Sequence, residues 1–130
     1  MNTRSFGRAW HGLALILIVL IVSGCGGLDN MSGRSVGSGD HAVTVTNSTG
    51  TRICYLFVSP ATQDSWGEDY LGETGVLDNG GTITVRVAAS GTYDLMAVTQ
   101  AADGNCDDTG VQITNMGVEI EGETTWTITQ

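Results

Sequence analysis

The chain contains no lysine, and its five arginines face 14 carboxylates for a formal net charge of −9. Phosphate backbones are bound by neutralising them with Lys and Arg, so nucleic-acid recognition is excluded as a function class. Anionic lipid headgroups are repelled by the same field. Long apolar runs are also missing. The longest is Leu13–Val22 (LALILIVLIV), ten residues, where a membrane-spanning helix needs about 20. Beyond that run no stretch carries apolar residues at helical spacing, which argues against a helical domain. Histidine is scarce as well, with only His11 and His41.

What is present begins with a leader. Arg4 and Arg8 precede the apolar run and no acid accompanies them, the layout of a signal peptide. The run ends in Val22-Ser23-Gly24-Cys25, an apolar, small, small, cysteine order that resembles the lipobox of bacterial lipoproteins. That resemblance implies that Cys25 is alkylated by diacylglycerol, that residues 1–24 are removed and that the new amine is acylated. Two or more acyl chains anchor stably where one does not. Ordinary secretion with Cys25 as a spare thiol is the alternative. Gly26 and Gly27 occupy the place where lipoproteins retained at the inner membrane carry Asp, which favours the outer membrane in a two-membraned cell.

The processed chain keeps Arg34, Arg52 and Arg86 against all 14 acids, so the lipid is left as the anchor. With Cys25 lipidated, Cys54 and Cys106 remain in a non-cytosolic compartment, and a disulfide between them is the parsimonious expectation. Closing a loop of that length contributes up to ~4 kcal/mol in the chain-entropy treatment. Two isolated thiols with no histidine beside them do not make a zinc site.

Residues 25–41, rich in Gly and Ser, read as a lipidated cysteine followed by a flexible tether of roughly 20–25 Å, with His41 at its end. From residue 42 to 130 the apolar period becomes two: Val43 and Val45, then Ile83, Val85 and Val87, then Trp126 and Ile128, alternate with Thr and Arg. Further runs at 51–59, 92–99, 110–114 and 117–121 complete seven strands, separated by Gly- and Asn-containing turns. The expected fold is all-β, a two-sheet antiparallel β-sandwich of immunoglobulin-like or transthyretin-like kind, with a jelly roll as the alternative. Residues 53–58 are apolar on both faces, which places that strand centrally.

The order CYLFVSP (54–60), WGEDYLG (66–72), GTYDLMAV (91–98) and a terminal TWTI resembles a group of small uncharacterised bacterial β-sandwich proteins. Several of them are lipoproteins, and they share a YVSPS…WGxDxLG…YDLxA pattern. The resemblance spans about residues 43–130, and some relatives keep a second Cys shortly after the YDL strand, where Cys106 stands here. It implies the fold and brings no mechanism.

Residues 60–81 form a connection too long for an idle turn in a compact sandwich. Three readings stand. Trp66, Tyr70, Leu71, Val76 and Leu77 can fold back as an apolar plug. Asp64, Glu68, Asp69 and Glu73 can supply hard oxygens to Ca²⁺. Trp66 and Tyr70 can form the surface for a protein or glycan partner. A second acidic stretch, Asp103 to Asp108, begins like a calcium loop but has Asp108 where the invariant Gly belongs. Asn47-Ser48-Thr49 matches a glycosylation sequon. No Ser-His or Cys-His pair can form once His11 is removed and His41 is on the tether, so no enzyme is expected. The function read from the sequence is therefore a membrane-anchored cell-envelope lipoprotein with a non-catalytic binding or structural module; the alternative is a calcium-dependent glycan-binding or hydrolytic module.

Overall fold

The computed structural model describes residues 27–130; the leader, the lipobox and Cys25 lie outside the described residues. Among the described residues nine strands follow one another: β1 (Asp29–Asn30), β2 (Ser35–Gly37), β3 (His41–Asn47), β4 (Ile53–Pro60), β5 (Gly75–Val76), β6 (Thr82–Val87), β7 (Gly91–Thr99), β8 (Gln112–Ile120) and β9 (Glu123–Ile128). They form a four-stranded sheet, β2-β6-β3-β9, a three-stranded sheet, β4-β7-β8, and a small β1-β5 ribbon. The fold is an all-β sandwich. One continuous core joins the two main sheets, with Val43, Val45, Ile83, Val85, Trp126 and Ile128 from the first meeting Leu56, Val58, Leu95, Ala97 and Ile120 from the second.

The period of two explains the pairing. Val43 lies opposite Val85 and Val45 opposite Ile83, and all four are buried. On the other face Thr44 and Thr46 oppose Thr84 and Thr82, their hydroxyls 3.5 and 3.1 Å apart. A slip of one residue exchanges these faces, so burial fixes the register. The sheet is mixed, because β9 runs parallel to β3 and β2 parallel to β6. Consecutive strands β3 and β4 lie in opposite sheets, a crossing that joins the two layers of the sandwich.

Four details differ from the sequence reading. Residues 29–37, expected within a flexible tether, are zipped to the sandwich: β1 pairs with β5 and β2 with β6, and Met31 and Val36 pack against the core. Such short, Gly- and Ser-rich parallel pairs carry no period to read. The Asn115-Met116-Gly117 turn is instead a bulge inside the continuous strand β8. Register passes from Tyr93 opposite Val118 to Leu95 opposite Asn115, Gly117 takes a φ of 68°, and its N–H donates to Asp94 Oδ1 at 2.8 Å. A glycine at positive φ absorbs the extra residue. Strand β4 is not central; it ends the β4-β7-β8 order, and β7 is the strand with neighbours on both sides. Asn47 of the sequon is wholly buried. Its Nδ2 donates to Thr51 O and Leu77 O, both at 2.8 Å, and its Oδ1 accepts from the Thr49 N–H and hydroxyl at 3.0 and 2.8 Å. All its polar capacity is used internally.

Candidate functional site

The 60–81 connection takes the place of a strand beside β4. Ile53 and Leu77 exchange two backbone hydrogen bonds of 2.9 Å, and the Tyr70 N–H donates to Leu56 O at 2.8 Å. The Leu56 N–H is met by a side chain: Asp69 Oδ1 accepts from it at 2.9 Å and from the Leu71 N–H at 3.0 Å. The Ser59 hydroxyl donates to the carbonyl of Trp66. Leu71, Val76 and Leu77 are buried, and Tyr70 packs against the core. The apolar part of the loop is thus a plug laid along the free edge of β4, and it blunts an edge that is otherwise a template for pairing with another chain. Burial raises the Asp69 pKa, and the two N–H donors oppose that rise by favouring the charged form. Tyr70 is also raised, by burial first and then by Glu68 and Tyr93.

The four acids proposed as calcium ligands do not converge. Asp69 is the cap just described. Asp64 lines a recess with Trp66, Glu68 one with Tyr70 and Arg86, and Glu73 one beside Cys54 and Cys106. Among the described residues no group of three His, Cys, Asp or Glu side chains is placed to hold a metal ion. The loop carries Asp64, Glu68 and Glu73 to three separate recesses, so closeness in sequence is not closeness in space. In the second acidic stretch Asp103 and Asp107 cap their own turns. Asp103 accepts from Asn105 N and Nδ2 at 3.0 and 2.7 Å, which lowers its pKa, and Asp107 accepts from the Thr109 N–H at 2.8 Å. The Cys54–Cys106 disulfide, with Cα atoms 5.4 Å apart, ties this stretch to β4.

Trp66 and Tyr70, read together as one partner surface, line different recesses. Tyr70 belongs to the plug. Trp66 instead lies on Phe57, with ring centroids 6.5 Å apart and planes tilted by 49°. Phe57 belongs to the outer face of the three-stranded sheet, where the register makes cross-strand rows. Tyr55 is paired with Val98 and Val98 with Gln112; Phe57 with Met96 and Met96 with Thr114; Ser59 with Asp94. Tyr55, Phe57, Met96, Val98, Asp108 and Gln112 line a shallow recess of about 340 Å³. Trp66, Asp64, Asp94 and Met116 line a second recess of about 210 Å³, and Met116 is 59% exposed. The two meet across the Phe57–Trp66 pair. Tyr55, Phe57 and Met96 were not singled out in the sequence, although the doubly apolar run 53–58 carried the signal: it marks a second apolar face, here only partly covered.

Compared with known protein families, curated proteins and solved structures, the chain matches none.

Proposed function

We propose that the chain is a lipid-anchored lipoprotein of the cell envelope, held at the outer membrane through Cys25, whose β-sandwich is a non-catalytic binding module. The anchoring half rests on the charged leader, the ten-residue apolar run and the Val22-Ser23-Gly24-Cys25 lipobox. One observation carries the binding half: an aromatic strip of Tyr55, Phe57 and Trp66 sits on the outside of a complete sandwich, next to an exposed Met116. Burying such aromatics gains ~25 cal/mol per Å², so the part of each ring that stays exposed is a cost to the isolated fold and a source of affinity for a partner. Two features support a non-catalytic role. Both thiols of the described residues are joined to each other, and His41 places Nδ1 3.1 Å from Glu121 O at the edge of the sheet, remote from the strip.

Two measurements test this reading. Fractionation of cells expressing Cys25→Ala should move the protein from membranes to the soluble fraction; continued co-sedimentation contradicts lipid anchoring. A photo-crosslinking residue at Met116 should give adducts in intact cells that are absent when it stands at exposed Thr125 on the opposite sheet. Equal adducts at both sites, or none at either, contradict the binding face.

A further inference from the structure

The aromatic strip is bordered by carboxylates and by no cation. Asp64 and Asp94 stand at its Trp66 end, and Asp108 at its Tyr55 end. The arginines of the described residues are elsewhere: Arg52 Nε pairs with Asp78 at 2.8 Å, Arg86 lines the Tyr70 recess, and Arg34 precedes β2. The apolar floor between the acidic ends is Met96 and Val98. Met96 and Val98 are themselves almost fully buried, so they present a groove bottom to an incoming side chain, while the tilted rings of Phe57 and Trp66 form its wall. A sugar ring stacks on a flat, open aromatic face; this geometry suits an aliphatic side chain.

The spacing carries the rest. Successive outward residues of one strand are about 6.8 Å apart, so the rows at Tyr55, Phe57 and Ser59 span about 14 Å. An extended peptide repeats its same-side residues at that interval. Building on the binding-module reading above, we infer that this face docks an extended polypeptide segment of the pattern cation–x–aliphatic–x–cation. The aliphatic side chain rests on Met96 and Val98 against the Phe57 ring. One cation lies between Asp64 and the Trp66 ring, where carboxylate and π-face act together, and the other beside Asp108 and Tyr55. The strongly acidic surface steers such a segment inward.

The test uses the full mature protein in neutral-lipid nanodiscs and a capped peptide, Ala-Arg-Thr-Leu-Thr-Arg-Ala, followed by tryptophan fluorescence. Trp66 is on the face and Trp126 is in the core, so a change reports the face. Saturable binding is expected, weakening when salt is raised from about 50 to 300 mM and absent for the analogue with Glu in place of both Arg. Phe57→Ala should weaken it about tenfold or more. Asp64→Asn and Asp108→Asn alter exposed side chains outside the core and should each weaken it several-fold with melting unchanged. The inference is overturned if no saturable signal appears, if the Glu analogue binds equally, or if the Asn variants bind as the unaltered protein does. A failed peptide test alongside Met116-specific adducts in cells overturns the partner chemistry alone; loss of both removes the binding face itself.

Discussion

At the residue scale, two side chains do work that a surface reading of the sequence assigns elsewhere. Asp69, grouped by sequence with three other acids, spends Oδ1 on the Leu56 and Leu71 amides. Asp69→Ala leaves both donors unmet and should lower unfolding free energy by about 1–3 kcal/mol in urea titration, while Asp69→Asn keeps the acceptor and should lose much less. Its raised pKa sets the sign with pH. The folded chain holds the proton more tightly than the unfolded one, so this contribution is full below the ordinary aspartate range and is lost as pH rises through the folded value. The stability of the native protein relative to Asp69→Asn should accordingly fall over that acidic interval; a rise there contradicts burial as the dominant cause. Asn47, a sequon residue by pattern, makes four internal hydrogen bonds at zero exposure. Asn47→Ala should destabilise by roughly 2–4 kcal/mol in the same titration.

At the scale of elements, the strands with clear alternation, β3, β6 and β9, were legible because one face is buried and the other wet. The misreadings fall where a local signal is answered by a non-local partner. Strand β8 holds a glycine that marks a turn in most contexts, yet Asp94 across the sheet accepts from it and keeps the strand continuous. Strands β1, β2 and β5 have two or three residues each, too few for any period, and they exist only because β6 and the plug offer edges. The strap from Asp29 to Gly37 therefore has a measurable role. The Thr84 N–H donates to Arg34 O at 2.9 Å, so removal of residues 29–37 should speed Thr84 amide exchange by orders of magnitude and expose the flank of β6; unchanged protection contradicts a docked strap. The plug was legible in its apolar residues and illegible in its placement, since nothing local tells that it runs beside β4.

For the whole molecule, a sandwich running from Asp29 to Ile128 buries a modest fraction of its surface, and a covalent link between β4 and the stretch after β7 matters correspondingly. The Cys54–Cys106 loop of 52 residues should contribute up to ~4 kcal/mol. Native protein should resist thiol alkylation until reduced, and reduction should lower its melting temperature; ready labelling of unreduced protein contradicts the link. The fold class was readable because composition, period and turns agreed. The aromatic face was not, because strand alternation says which residues share a face but not whether that face is covered. The partner chemistry inferred for it rests on charge, which the sequence states as a total and only the fold distributes. Anchoring is the claim on which the cellular role depends, and intact-mass spectrometry of protein purified from its native membrane tests it most directly. A chain that begins at Cys25 and carries the mass of diacylglycerol and an amide-linked acyl group is expected. A chain that retains residues 1–24 with an unmodified thiol at Cys25 contradicts it.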